Sequence, residues 1–170
     1  PDFSFENYLE ANGMGDGIAF NDSVLTASID TLTYINLGSN GGIVDLTGIE
    51  DFTALTYLYC DNNVITSLDV SQNTALIHLV LYANQLTSLD VSQNTALTFL
   101  SCSNNQLTSL DVSQNTALTT LICSSNLLTS IDVSQNTALT ELNVCGGGPS
   151  TITNQFTSLN VSANLALTYL

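Results

Sequence analysis

The sequence predicts a mainly β, right-handed solenoid of stacked coils, with parallel strands in one or two sheets and a short helical cap at the N-terminus. Two observations carry this prediction. Leucines recur 21 residues apart, at Leu55, Leu76, Leu97, Leu118 and Leu139. The segment SLDVSQNTAL also recurs at 67–76, 88–97 and 109–118, returns as SIDVSQNTAL at 130–139, and ends in the altered form SLNVSANLAL at 158–167.

Each 21-residue repeat is itself double. The spacing LxxLxLxxN, the leucine-rich-repeat pattern, starts at Leu76 and again at Leu86. Each half is too short for a helix plus its turn, and its apolar residues alternate as in a strand. We therefore expect two extended segments and two turns per coil. Inward asparagines should bond the backbone at the bends and the next asparagine in the stack. They form two columns: Asn63, Asn84, Asn105 and Asn126, and Asn73, Asn94, Asn115 and Asn136.

The two ends of the chain depart from the repeat. Residues 1–31 are interpreted as a cap, with a helix started by Ser4 and followed by Gly13. Residues 32–170 are interpreted as a solenoid of about six coils, in which an insertion within 145–153 loops out. Another LxxL begins at the end of the sequence, so the array is expected to continue past Leu170.

The composition excludes several classes of function. The 170 residues include 15 Asp and Glu but no Lys or Arg, which gives a formal net charge of −15. A chain without cations cannot neutralise phosphates, so nucleic acids and anionic membranes are excluded as partners. Nucleotide chemistry lacks its usual Lys or Arg for the same reason. The remaining partners are neutral, cationic or bridged by a metal ion.

The repeat LTSLDVSQNTALTxLxCSxNQ resembles those of bacterial secreted leucine-rich-repeat proteins. Its cysteine at the third apolar position is similar to the cysteine-ladder subgroup of internalin-like proteins. The stretch 45–50, DLTGIE, resembles their opening repeats, and FENYLEANGMGDGIA is similar to their N-terminal caps. This resemblance implies a secreted or cell-surface module for binding or adhesion, with no enzymatic activity. It does not identify the ligand.

One half of the repeat varies at its outward positions, whereas SLDVSQNTA hardly changes. A scaffold needs no such variety, but a recognition surface does, and exposed aromatic side chains favour contact with a partner. The predicted binding residues are Tyr57, Tyr59, His78, Val80, Tyr82, Phe99 and Ile122. The expected partner is a protein or a glycan on another surface. The alternative is that these side chains pack against a further domain or only support neighbouring strands.

The unchanging half carries an acidic column, Asp69, Asp90, Asp111 and Asp132. Carboxylates about 5 Å apart match a retaining glycosidase, but that chemistry also needs a pocket that raises one pKa. These residues are candidates for calcium, and no other cofactor is expected. Otherwise they form a solvated face on which mutual repulsion makes their replacement by Asn stabilising at low salt. Together with the flanking serines they offer an alternative function, in which a regular lattice binds a periodic ligand such as a polysaccharide fibre or ice.

The cysteines do not form a zinc-binding pair. Cys60, Cys102 and Cys123 share a column with Leu81 and Val144, so they are predicted to be buried thiols. Cys102 and Cys123 on adjacent strands have parallel side chains about 4.8 Å apart. A disulfide prefers closer Cβ atoms, so free thiols are expected. His78, the single histidine, should point away from them, which leaves no Cys–His dyad for catalysis.

Overall fold

The structure is a computed structural model that describes residues 3–15, 17–18, 29–39, 42–145 and 153–170. The described residues include helix α1 (Phe3–Ala11) and a short 3-10 helix (Ile49–Asp51). Six strands of three residues each follow the repeat, one per coil. They are β1 (Tyr34–Asn36), β2 (Tyr57–Tyr59), β3 (His78–Val80), β4 (Phe99–Ser101), β5 (Thr120–Ile122) and β6 (Glu141–Asn143).

The six strands form one parallel sheet in chain order, from β1 to β6. Equivalent positions of successive repeats pair directly, as in Leu58 with Leu79 and Leu79 with Leu100. An isolated parallel bridge from Glu141 to Tyr169 continues the same edge. The prediction of a mainly β solenoid with parallel strands is therefore confirmed.

The unchanging half of the repeat forms no strand in the described part of the chain, so the solenoid has a sheet on one side only. Neighbouring coils are joined there by few direct backbone hydrogen bonds, such as Gln106 N–H to Leu86 O at 2.8 Å. A strand would need a continued ladder of such bonds. Most of the remaining connections in this half run through asparagine side chains.

The centre of every strand faces the interior. These central residues are fully buried, at 0% exposure, and comprise Ile35, Leu58, Leu79, Leu100, Leu121 and Leu142. The residues on either side of them are mostly half-buried or exposed, which is the period of two expected of a strand. The strand centres belong to one continuous core that also includes Phe5 and Leu9 of α1.

The first asparagine column holds each coil to its neighbour through both ends of the amide. Asn105 Oδ1 accepts the Leu86 N–H of the preceding coil at 2.9 Å. Its Nδ2 donates to Leu81 O at 2.9 Å and to Cys102 O at 3.0 Å. The side chain is 1% exposed. The column therefore satisfies backbone groups that the turn would otherwise leave unpaired in the interior.

The second asparagine column uses only one end of the amide. Asn115 Nδ2 donates to Val91 O and Asn94 O, both at 2.9 Å. Its buried Oδ1 has no hydrogen-bond partner, and the same is true of the equivalent oxygens of Asn73, Asn94, Asn136 and Asn164. The expected bonds to the backbone at the bends are present in both columns. Links between neighbouring asparagines occur only in the second column, from an amide to a backbone carbonyl.

A residue in the left-handed backbone conformation follows each of the strands β1 to β5 by three positions. These residues, with φ between 53° and 59°, are Ser39, Asn62, Ala83, Asn104 and Ser125. Asparagine tolerates this conformation better than alanine does, because its side chain can bond to the local backbone. Ala83 is therefore the residue of the set least suited to its backbone.

Helix α1 covers the first edge of the sheet. The Asn36 N–H donates to the Tyr8 hydroxyl at 3.4 Å. The helix begins at Phe3, so Ser4 lies within its first turn and the prediction that Ser4 starts the helix is wrong. Gly13, at φ 73°, ends the helix as expected. Of the predicted insertion, residues 146–152 lie outside the described residues. Among the described residues, no helix is long and apolar enough to cross a membrane.

Candidate binding site

The outward side chains of the sheet form two parallel rows. The first row contains Tyr34, Tyr57, His78, Phe99, Thr120 and Glu141. The second row contains Asn36, Tyr59, Val80, Ser101, Ile122 and Asn143. Each row follows from the 21-residue period, because one residue per coil lies at each position. Six of the seven predicted binding residues stand in these two rows, and Tyr82 lies two residues beyond β3.

The aromatic side chains of the first row contact one another along the solenoid. The Tyr57 and His78 ring centroids are 4.9 Å apart, and those of His78 and Phe99 are 5.1 Å apart with planes 5° from parallel. These separations are close to the spacing of neighbouring strands, about 4.8 Å. The His78 and Phe99 rings therefore stack in register, whereas the Tyr57 ring is tilted by 34° against His78.

The second row begins with an aromatic side chain and then becomes aliphatic and polar. The Tyr59 ring lies 5.6 Å from that of Tyr34, which links the two rows. Burial raises the pKa of the Tyr59 hydroxyl, with smaller effects from Tyr34 and Tyr57. Val80 and Ile122 are half-buried, and Ser101 is buried. Beyond Tyr59, the second row therefore consists of smaller, more buried side chains than the aromatic part of the first row.

Tyr82 stands apart from the stacked rings and is 41% exposed. Its equivalents in the following coils are small, and the Ser124 hydroxyl donates to that of Ser103 at 3.0 Å. Tyr82, one of the seven predicted binding residues, is thus a separate tyrosine near the aromatic row and not a member of it.

Three outward residues at the ends of the first row were not among the predicted binding residues. Tyr34, 51% exposed, begins the first row, and Glu141 lies at its far end. Tyr169, 58% exposed, continues the row through its bridge to Glu141. The signal for Tyr169 was available, because residue 169 follows residue 141 by one repeat plus the seven-residue insertion. These three side chains extend the site in both directions.

The acidic column on the opposite side of the coil forms identical turns. In each of four coils a serine N–H donates to the Oδ1 of the aspartate two residues earlier, at 2.9 Å. The pairs are Asp69 with Ser71, Asp90 with Ser92, Asp111 with Ser113, and Asp132 with Ser134. Asn160 accepts the same bond from Ser162 at 3.0 Å. These residues therefore act as turn formers.

The pKa of each of these four carboxyls is lowered. The largest cause is the hydrogen bond from the serine backbone, followed by the serine hydroxyl. Repulsion from Asp90 and Asp132 raises the pKa of Asp111 by a smaller amount. The turn hydrogen bond is therefore the larger of the two effects on these pKa values, which argues against repulsion as the dominant one.

The lowered pKa values also bear on the chemistry considered for this column. A glycosidase needs one carboxyl whose pKa is raised so that it can donate a proton, and none of these four is raised. Among the described residues, no three His, Cys, Asp or Glu side chains are grouped as a metal site would need. The calcium hypothesis for Asp69, Asp90, Asp111 and Asp132 therefore gains no support.

The predicted cysteine column is buried and its thiols are free. Cys60, Cys102 and Cys123 are each 0% exposed, whereas Cys145 is exposed. Burial raises the pKa of the Cys123 thiol to about 12 and raises that of Cys102 well above its ordinary value. Because the thiolate is the reactive form, the buried cysteines are inert core residues.

A single parallel sheet, one short strand per coil and asparagine columns at the bends define a leucine-rich-repeat solenoid. Internalin J from Listeria monocytogenes serotype 4b (strain F2365) is 46% identical over 51 residues, which cover 30% of this chain and 6% of internalin J. No protein-family model matches the sequence.

Solved structures share the fold over most of the chain. The functional domain of InlJ from Listeria monocytogenes, which includes a cysteine ladder, is 35% identical with a TM-score of 0.72, over 99% of this chain and 44% of that one. The chain thus spans less than half the length of the InlJ structure. The chain is an internalin-like leucine-rich-repeat protein.

The fold also matches a plant receptor. The leucine-rich-repeat ectodomain of the membrane receptor kinase GASSHO1/SCHENGEN3 from Arabidopsis thaliana is 26% identical with a TM-score of 0.73, over 84% of this chain and 18% of that one. That ectodomain was solved in complex with CASPARIAN STRIP INTEGRITY FACTOR 2. Such neighbours are consistent with a binding role for this fold.

Proposed function

We propose that this protein is a non-enzymatic extracellular binding module that recognises a protein partner through the two outward rows of its sheet. The single observation that carries the proposal is the row of neighbouring aromatic rings from Tyr34 to Phe99. Four aromatic side chains in contact on one exposed face offer a rigid apolar surface of the kind that anchors protein interfaces. The resemblance to secreted and surface proteins supports a location outside the cell.

The arrangement of the rings favours a protein partner over a glycan. Sugars bind aromatic side chains best through an open ring face. In this row the faces of His78 are covered by Tyr57 and Phe99. Ring edges, tyrosine hydroxyls and the one face of Phe99 that His78 does not cover remain for contact, and these suit the mixed apolar and polar surface of a protein.

The experiment is a screen of purified-protein and glycan arrays with two matched variants beside the wild type. Tyr57→Ala with Tyr59→Ala truncates the two rows, whereas Ser88→Ala with Ser109→Ala alters the unchanging half. For a hit among the proteins, the tyrosine variant should lose at least about 2 kcal/mol of binding free energy, as at an interface hot spot. The serine variant should bind like the wild type.

Two results would overturn this proposal. Loss of binding in the serine variant, with the tyrosine variant unaffected, would assign the site to the regular lattice and favour a periodic ligand. Hits confined to the glycan array and weakened by the tyrosine variant would keep the site but replace the partner class. Circular dichroism of both variants shows whether each remains folded.

A further inference from the structure

The first row changes in chemistry after Phe99. The next two positions are Thr120, which pairs in register with Phe99, and Glu141, which pairs with Thr120. Two strand steps separate Phe99 from Glu141, about 10 Å along the row. We call this segment the Phe99–Glu141 notch. Phe99 and Glu141 form its two sides, and the shorter Thr120 forms its floor.

The ring of Phe99 is covered by another ring on one face only, among the described residues. That face stacks on His78, with planes 5° from parallel. Because the stack runs along the row, the second face is directed toward the Thr120 position. Among the described residues, His78 is the one ring in contact with Phe99. Threonine is too short to cover the opposite face.

The opposite side of the notch supplies a negative charge. No described residue donates a hydrogen bond to the Glu141 carboxylate, which belongs to a half-buried side chain. The exposed Tyr169 follows it in the row. An open ring face and an unpaired carboxylate thus stand on either side of a space one small side chain wide.

This combination is complementary to a cation, and the chain has no Lys or Arg to supply one. We propose that the Phe99–Glu141 notch receives an arginine side chain of the protein partner. The planar guanidinium stacks on the open face of Phe99, and Glu141 attracts its charge from the other side. The net charge of −15 would also draw a cationic surface toward the protein.

The inference rests on the proposed function and names one anchor of the partner. A lysine fits the notch less well, since its compact, strongly hydrated ammonium does not stack on the ring as a plane. A neutral side chain of the same shape gains nothing from Glu141. Arginine, lysine and citrulline therefore form a graded series of probes.

The test is an NMR titration with the blocked peptide acetyl-Gly-Gly-Arg-Gly-Gly-amide. We expect saturable shifts confined to the Thr120 methyl group, the Phe99 ring and their neighbours. The lysine peptide should bind at least about three-fold more weakly, and the citrulline peptide should show no saturable shift. Shifts spread evenly over the protein, or equal binding of the citrulline peptide, would overturn the inference.

Matched variants separate the notch from the general negative charge. Glu141→Gln and Phe99→Leu should each weaken the arginine peptide at least about five-fold. Asp111→Asn removes the same charge on the turn side and should change binding less than about two-fold. Equal losses in Glu141→Gln and Asp111→Asn would mean diffuse attraction and would overturn the inference.

A second readout distinguishes failure of the notch from failure of the proposed function. It uses any partner found on the protein array. If Tyr57→Ala with Tyr59→Ala abolishes binding and Glu141→Gln leaves it unchanged, the notch is wrong and the binding face stands. If Glu141→Gln weakens the partner as it weakens the peptide, both are supported.

Discussion

His78 and Phe99 stack almost parallel, with ring centroids 5.1 Å apart, although 21 residues separate them in the sequence. The contact exists because each coil advances the chain by one strand. A residue is therefore adjacent in space to its equivalent in the next repeat. Interactions in this protein are thus organised in rows along the solenoid, and each row can be tested separately.

The first prediction compares the two asparagine columns. Asn105→Ala leaves the buried Leu86 N–H without a partner, whereas Leu81 O and Cys102 O keep bonds from Asn84 and Asn126. It should lower the free energy of unfolding by about 3 kcal/mol. Asn115→Ala leaves Val91 O and Asn94 O with their bonds from the Asn94 and Leu97 N–H groups and also removes an unpaired Oδ1, so it should lower that free energy by about 1 kcal/mol. Urea denaturation measures both. Equal costs would contradict the difference between the columns, and exposed Gln114→Ala is the control.

The second prediction concerns the left-handed backbone at Ala83. Ala83→Asn should raise the free energy of unfolding by about 0.5 to 1 kcal/mol, because asparagine adopts a positive φ at lower cost. Asn62 and Asn104 already occupy the equivalent positions of the adjacent coils. Thermal denaturation with Ala96→Asn as control checks this, since Ala96 is exposed and its φ is not positive. A lower melting temperature for Ala83→Asn would argue against the explanation.

The third prediction is a pH dependence set by the acidic turns. The pKa of Asp69, Asp90, Asp111 and Asp132 is lowered in the folded state. Their ionised form therefore stabilises the fold above the ordinary value of 3.8, and this contribution is lost as the pH falls through and below it. A variant with all four changed to Asn keeps the turns, as Asn160 does, but cannot titrate.

The wild type should therefore lose stability relative to this fourfold variant between about pH 6 and about pH 2.5. Urea denaturation at constant ionic strength, repeated across that range, gives the difference directly. A constant difference would mean that the four carboxyls have the same pKa in the folded and unfolded states. A difference that grows in favour of the wild type in acid would mean that repulsion, and not the turn hydrogen bond, is the dominant effect.

The fourth prediction concerns the thiols. In the native protein a colorimetric thiol reagent should modify Cys145 rapidly and leave Cys60, Cys102 and Cys123 unmodified, because those three are fully buried. Addition of denaturant should then release all of the remaining thiols. Recovery of two fewer thiols than the sequence contains would instead indicate a disulfide. Cys145→Ser is the control, and its native form should not react.

Periodicity made much of the fold predictable. The buried strand centres and both asparagine columns follow from counting 21 residues, since equivalent residues of a solenoid meet in space. The number of sheets did not follow, because both halves carry the same LxxLxL spacing. The halves differ in their turns. In the Asp69 half the carboxylate captures the Ser71 N–H, a bond that replaces the extended backbone a strand would need.

The candidate site was only partly predictable for a different reason. Sequence register puts Tyr57, His78 and Phe99 in one row but cannot give the ring orientations that leave a single open face on Phe99. The sequence alone does not identify Glu141 as a binding residue, because one acidic residue in a variable row is commonly a solvated side chain. Its significance comes from the neighbouring Phe99–Thr120 pair and from the lack of any cation in the chain.

The uniform turns of the unchanging half have a consequence for folding. Four successive coils close with the same aspartate-to-serine bond at the same 2.9 Å length. A misfolded chain in which the coils stack out of order by one repeat would still form these bonds. The bonds therefore do not favour the correct stacking order over an incorrect one. Correct alignment must be selected by features that occur once. The contact of Tyr8 with Asn36 fixes the position of the first coil. The varied side chains of the sheet then distinguish each later coil from its neighbours.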